Sequence, residues 1–437
     1  MIDRNSKFNP WTEEDEKEHF PCLMEWWSAE AFFTSKENNK KWSLKVAFTE
    51  WFENKKKQGS ISNITLFDQD ENKHYIFCKR DDLNRLKSEK NKFYVQFEDS
   101  FIKGAFPIYE MRFIDKNNDI ELNIRYEAKS YPHWIAQDIT NGWLPMGLGI
   151  YRYGFIPDNI LTGTLRIKKK IYKIEGKGYF EHVWGDFDYD KPFNPANLKK
   201  TVITYIKLMG WRIKNRDIKI PNTIAFSLEN NPFGYDWTWA LFDNGWTMFY
   251  GNTMFWLMNG PGMGTIILTK DGRNYTEYND FTFYYKKMKY ADEYDFYYPT
   301  EFEIKIKKGL EKIHLNFKMT NTPREYISIF PYAKLHWVGL AICESPGIVK
   351  GYYYDNEKEI RLSGICKIEP QRQIAIFGHN KLKIDFQKPP DGIGIKIDIV
   401  SHFFLKKIKI NLQLAPIPKI NFKLVRINEK KINKNIK

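Results

Sequence analysis

Gly178-Tyr179-Phe180-Glu181-His182-Val183-Trp184-Gly185-Asp186-Phe187 is the most distinctive stretch of this 437-residue chain. Read as a strand, it sends Phe180, His182, Trp184 and Asp186 to one face and Tyr179, Glu181 and Val183 to the other. A histidine and a tryptophan on one inward face could hold a cation beside an indole ring, whose quadrupole attracts positive charge by ~0.5–2 kcal/mol. The same pair also reads as a buried histidine bonded to a backbone carbonyl beside a packing tryptophan. Immediately upstream, Leu161–Ile167 pairs back through Lys168-Lys169-Lys170 to Ile171–Ile174 as a hairpin that runs into the stretch. Downstream, Pro192 and Pro195 break the pattern and place a junction near residue 195.

The same alternation extends in both directions. Cys22-Leu23-Met24-Glu25-Trp26-Trp27 opens the first strand, after some twenty polar, acidic residues that read as an arm or short helix. Ser43–Phe48, Asn91–Phe97 and Ile120–Tyr126 alternate with period two, separated by turns such as Lys116–Asp119. Only Asp81–Lys90 has the look of a short helix. Beyond residue 195 the chain opens with Thr201–Lys214 and repeats the grammar of the first half. The strands expected there are Thr223–Leu228, Thr238–Phe242, Thr247–Tyr250, Thr265–Thr269, Phe281–Tyr285, Glu301–Lys307 and Lys312–Met319. Asp243-Asn244-Gly245 and Asp271-Gly272 supply hairpin turn chemistry. Past residue 385 the alternation continues but becomes basic, and Pro416 and Pro418 suggest edge strands or a tail.

A chain of this length exceeds one ordinary hydrophobic core, so two domains are expected. Aromatic residues make up 17% of it, which favours pleated, half-buried strands over helices. Many strands and few helices point to a barrel or a sandwich. The net charge of +14 is spread along strands such as Phe302–Lys307, where it reads as a wet outer face rather than a nucleic-acid patch. Basic residues are dense only from Lys406 to Lys437, which leaves open a peripheral membrane contact through the tail. Cys22, Cys78, Cys343 and Cys366 form no CxxC pair and no metal spacing with histidine, so reduced buried thiols, no metal and no cofactor are expected. The opening MIDRNSKFNPWTEEDEKEHF lacks the apolar core of a secretion signal and no apolar run would span a bilayer, so a cytoplasmic location is the expectation.

A second candidate site is Phe233–Trp239, where Asp236 sits among aromatic rings. A carboxyl buried without a partner stays protonated and could serve as a general acid; otherwise Asp236 caps a turn or pairs with a surface lysine. His336-Trp337 near Glu344 reads as core. Pro261-Gly262-Met263-Gly264 lacks the context of a phosphate loop, and no nucleophile elbow, HExxH or dinucleotide fingerprint occurs.

Glu25-Trp26-Trp27, Gly147–Tyr151, Leu161–Leu165 and the 178–187 stretch, in this order, resemble the tandem lipocalin-like family of AttH-type proteins, carotenoid 1,2-hydratases (hydroxyneurosporene synthases), kievitone hydratases and fungal Diels–Alderases. The resemblance covers residues 20 to 250 and implies an all-β fold of two consecutive lipocalin-like antiparallel barrels with few short helices. These would be an N-terminal barrel with its arm over 1–195, a second barrel over 196–385, and basic edge strands over 386–437. It also implies a catalytic pocket lined by His182, Trp184, Tyr235 and Asp236. Asp236 would protonate a C=C bond, Trp184 would shelter the cation and His182 would handle water. Trp26, Trp27, Tyr151, Trp237 and Trp239 would line the chamber of a hydrophobic, isoprenoid- or lipid-like ligand. Glu181 stands where the family usually has Asp. Two functions follow as expectations: a cofactor-independent hydratase, cyclase or isomerase, or a non-catalytic carrier or scaffold for the same kind of ligand.

Overall fold

The first strand, Met24–Ser35, shows why this chain lacks the clean alternation of a barrel with one wet side. Its odd positions Trp27, Ala29, Ala31 and Phe33 fill the core of one sheet, and its even positions Met24 and Phe32 are buried against a second sheet. Both faces are covered, so the strand reads as an almost continuous apolar run. In the computed structural model this pattern extends to the long hairpin Gly149–Ile167 and Lys170–Asp186, whose turn is Lys168-Lys169. Both turn residues take positive φ, as a tight two-residue hairpin demands. The structure describes residues 2–81, 85–187, 195–215, 234–253, 264–279, 281–292, 296–328, 339–355, 357–377, 380–387, 393–401, 406–415 and 418–426.

Two antiparallel sheets curl as half-barrels. The first runs Lys73–Asp81, Lys56–Asp68, Lys40–Glu53, Met24–Ser35, Lys170–Asp186, Gly149–Ile167, Ile120–Ala128, Ile108–Asp115, Ser100–Ala105, Phe93–Phe97 and Leu86–Ser88. The second runs Tyr275–Tyr278, Gly264–Thr269, Thr247–Thr253, Gly234–Phe242, Glu359–Phe377, Gly339–Tyr354, Glu311–Met319, Phe296–Lys308 and Phe281–Ala291. In each, the opening strand pairs with the closing arm of a long hairpin, so the second sheet repeats the connectivity of the first. Asn380–Gln387, Ile393–Ser401, Lys406–Ala415 and Lys419–Arg426 continue the second sheet as a basic meander.

Four readings of the sequence change or narrow. Thr201–Lys214 lies in a helix, Leu198–Lys214, because its inward residues Thr201, Thr204, Leu208 and Arg212 recur at helical rather than alternating spacing. The described part of Asp81–Lys90 is not helical: it ends one strand at Asp81 and holds the short strand Leu86–Ser88. The stretch expected as an arm or short helix is a packed arm, with no helix among its described residues. Trp11 stacks at a tilt on Trp134, and buried Glu16 accepts hydrogen bonds from Tyr109 Oη and the Phe106 amide, both at 2.6 Å. Cys78 is exposed, while the other three cysteines are buried, and none of the four forms a disulfide. Thr223–Leu228, His336-Trp337 and Pro261–Met263 lie outside the described residues.

Between the sheets runs a belt of buried charge. Lys45 of the first sheet pairs with Glu369 and, at 3.2 Å, with Glu344 of the second. Lys367 of the second reaches Glu30 of the first at 3.6 Å, and Arg324 lies 3.4 Å from Glu344 and donates to Asn63 at 3.1 Å. Such belts add little net stability relative to apolar packing, but removing one partner strands a charge. Lys45→Met is therefore expected to cost about 3–5 kcal/mol in urea unfolding, and unchanged stability would show that the belt does not hold the sheets. Burial pushes Glu30 up to about 7 against the pull of Lys367 and Lys45. Its contribution is full below pH 4.5 and lost as pH rises to about 7, so Glu30→Gln should flatten the stability profile across that window.

Candidate functional site

The strand Lys170–Asp186 carries two groups of polar side chains, one on each face. Its glycines set how closely neighbours approach: a Cβ at Gly178 would overlap the Tyr126 ring, whose hydroxyl donates to the Glu30 carbonyl at 2.8 Å.

The face towards the first barrel presents His182 and Trp184. His182 is fully buried, with Nδ1 donating to the Asp15 carbonyl at 2.9 Å and Nε2 lying 2.8 Å from Glu25 Oε1. His19 Nδ1 lies 2.9 Å from the same oxygen, and the His19 amide donates to Oε2 at 2.9 Å. A neutral imidazole has one N–H, so a carbonyl on one nitrogen and a carboxylate on the other call for a second proton on the pair. Burial pushes the Glu25 carboxyl up, but hydrogen bonds from His182 and His19 outweigh it and hold it below the usual carboxylate range. On the imidazole side burial opposes that proton more strongly than Glu25 favours it, and His182 is pushed below the usual imidazole range. The His19 ring stacks on Trp184 at 3.6 Å between centroids, and the Arg152 guanidinium lies 5.5 Å from the same indole. One ligand atom from each of His19, Glu25 and His182 lies within 4.8 Å of the others, so among the described residues these three could hold a metal cation.

The opposite face looks into the seam between the sheets. Glu181 accepts a hydrogen bond from Tyr153 and others from Tyr179 Oη at 2.9 Å and Trp26 Nε1 at 3.1 Å. Tyr153 Oη in turn accepts from Trp237 Nε1 of the second sheet at 3.1 Å. Tyr151, Tyr153, Tyr179, Phe187, Trp237, Trp239 and Phe249 pack around the network, and the partly buried Trp26, Met146 and Tyr235 border it. Burial pushes the Glu181 carboxyl up, and its neutral phenol and indole donors only partly restore it. Tyr153 is pushed well above the usual phenol range by burial and by Glu181, so it remains a hydroxyl that can donate or accept.

The expected single chamber is thus divided among three places. His182, Trp184 and Trp27 face the first barrel, with Trp27 stacked on His182 at 5.1 Å. Trp26, Tyr151, Tyr235, Trp237 and Trp239 belong to the seam. Asp236 alternates away from Tyr235 and Trp237, towards the core of the second sheet that contains Ala240 and Phe242. There it pairs with fully buried Arg372 at 2.9 Å and accepts from Tyr285. It is neither partnerless, as a protonated acid requires, nor on the face of His182.

No protein-family model matches this sequence, and no curated protein does. Solved structures match at 12% identity. A putative AttH from Nitrosomonas europaea superposes with a TM-score of 0.55 over 82% of this chain and 96% of its own. Kievitone hydratase from Nectria haematococca gives 0.53 over 86% and 95%. The protein has the AttH-type fold. At this identity the likeness is one of architecture, two consecutive lipocalin-like barrels, and the chemistry must come from side chains.

Within the AttH-type fold, the sequence pointed to the strand Lys170–Asp186 but not to the grouping of Glu181 with phenols on one face or of Glu25, from the neighbouring strand, with His182 on the other. Glu181 was visible as the odd residue at a position where an aspartate is usual, yet period two put it on the face opposite His182. Glu25 stood in the Glu25-Trp26-Trp27 motif, but nothing in the sequence joined it or His19 to His182, because 157 residues separate Glu25 from His182. Glu25→Gln should destabilise the protein most above pH 4.5. Its ionic contribution is present there and is lost as the pH falls through the lowered native value. Urea unfolding of both proteins at neutral and acid pH should show the gap narrowing on acidification; a constant gap would refute the ionised assignment.

Proposed function

We propose that this protein is an acid–base enzyme of the hydratase or isomerase kind, acting on a lipid-like molecule in the seam between its two barrels, with Glu181 as the proton donor. The observation that carries the reading is a buried carboxyl raised by desolvation, whose hydrogen-bond partners are two phenols and an indole. Partners without charge leave the proton transferable, whereas a lysine or arginine would fix the carboxylate. The surrounding rings suit an apolar substrate, and the faces of Trp237 and Tyr179 suit a developing cation. Protonation of a C=C bond by Glu181 leaves a carbocation and a carboxylate. Water then adds, returning its proton to Glu181 directly or through Tyr153, or a neighbouring C–H gives up its proton and the double bond has moved. Both routes balance without a redox cofactor.

The His182 cluster supports this choice by contrast. Both nitrogens of His182 are engaged, and the Trp184 ring is covered by His19 and approached by Arg152, so this face reads as a positioned support. A lipid carrier is the second reading, favoured by the same aromatic seam. Incubating the protein with apolar lipid extracts in ¹⁸O-labelled or deuterated water separates the two. The enzyme transfers label into a product, whereas a carrier returns its ligand unlabelled. Glu181→Gln should lower label transfer by about 10²–10⁴-fold while ligand retention stays within about twofold. Wild-type transfer should also fall as pH rises through the raised Glu181 value. Equal transfer by the variant would remove Glu181 from the mechanism.

A further inference from the structure

The helix Leu198–Lys214 is built inside out for a soluble protein. Its sequence, LKKTVITYIKLMGWRIK, turns Thr201, Thr204, Leu208 and Arg212 inwards. Leu198, Val202, Ile203, Ile206, Met209 and Ile213 face outwards, each between 43% and 65% exposed. Surface helices of globular proteins place their aliphatic stripe against the core. Here the stripe at 198, 202, 206, 209 and 213 runs about 22 Å along the solvent side. Interior contacts hold the helix in this orientation: Thr201 Oγ1 donates to the Leu148 carbonyl at 3.2 Å and Tyr205 Oη to the Gly147 carbonyl at 3.0 Å. Leu208 packs into the same seam cluster as Tyr153 and Trp237.

Charge selects what covers the stripe. The exposed positions of the helix also carry Lys199, Lys207 and Lys214, and the helix has no acidic residue, within a chain of net charge +14. An aliphatic face with basic residues beside it matches an anionic lipid surface, where the stripe enters the acyl boundary and the ammonium groups meet headgroups. We infer that the Leu198–Lys214 helix docks this protein on anionic membranes. Docking does not depend on the reaction proposed above, but it sets the seam beside a reservoir of lipid-like substrate, because Leu208 on the inward face of the docking helix packs into the seam cluster.

Co-sedimentation of the full-length protein with vesicles of phosphatidylcholine, alone or mixed with phosphatidylglycerol, tests the inference. The wild type should bind the anionic vesicles at least about tenfold more tightly than the neutral ones and should release as salt rises. Ile206 and Ile213 are exposed, so Ile206→Glu with Ile213→Glu should leave the melting temperature unchanged while weakening anionic-vesicle binding about tenfold or more. A wild type that ignores anionic vesicles overturns the proposal, as does a double variant that binds as well as wild type. Loss of binding only in Ile420→Glu with Phe422→Glu, on the exposed face of Lys419–Arg426, would assign the contact to the basic C-terminal strands instead. Self-association without vesicle binding, abolished by the helix substitutions, would make the stripe a protein interface.

Discussion

Everything distinctive about this molecule depends on the outer face of one curled sheet being packed on the outer face of the other. In a single barrel those outward positions meet water, which solvates charge at no structural cost. Here Glu30, Lys45, Glu344, Lys367 and Glu369 occupy them and are all buried. Each must therefore find a partner across the seam. The resulting belt holds three carboxylates against three cations, counting Arg324. Its effect is on register more than on net stability, since a slip of one sheet along the other would leave a buried charge alone. That register in turn sets Trp237 of the second sheet against Tyr153 of the first.

Burial acts alike on the four carboxyls of this region, and their partners decide the outcome. Burial raises Glu344, but Lys45, Lys367 and Arg324 outweigh it and hold the group down. Glu30, sharing its lysines with other acids, stays raised. Glu25 is held down by two imidazoles. Glu181 meets only phenol and indole donors, and desolvation prevails. Of these four glutamates Glu25 and Glu344 are thus held down as anions while Glu30 and Glu181 stay raised, and Glu181 alone of the raised pair has only uncharged hydrogen-bond donors, a difference in neighbours that no local sequence pattern encodes.

Much of the fold was legible because strands announce themselves through period two and through turn residues. Leu161–Ile174 as a hairpin, the Lys116–Asp119 turn and the Asp243–Gly245 turn all stand where alternation and turn chemistry place them. The helix at Leu198–Lys214 was obscured by its composition: Thr, Val, Ile and Tyr are strand formers, and its exposed aliphatic stripe inverts the usual sign of amphipathicity. The site was half legible. Resemblance and periodicity led to the strand Lys170–Asp186, yet both assumed one chamber, whereas alternation along Gly234–Phe242 turns Asp236 away from the seam that Tyr235 and Trp237 enter. Its partner Arg372 lies 136 residues away, which is why an apparently isolated acid among aromatics reads as a proton donor in sequence and as an ion pair in space.

Placing chemistry in the seam rather than inside either barrel has a structural consequence. The first barrel's interior polar cluster is locked by mutual hydrogen bonds and ring stacking around His182, and the second's Asp236 is neutralised by Arg372. Either could be built by one barrel alone. The Glu181 network differs: Glu181 and its donors Tyr153, Tyr179 and Trp26 come from the first sheet, but the second sheet supplies Trp237, which donates to Tyr153 Oη, and the packing that keeps the group dry. Duplication of one barrel topology therefore does more than enlarge the core. It converts two wet outer faces into a single dry one, where the desolvation that makes a carboxyl a usable acid arises from the packing of the two copies.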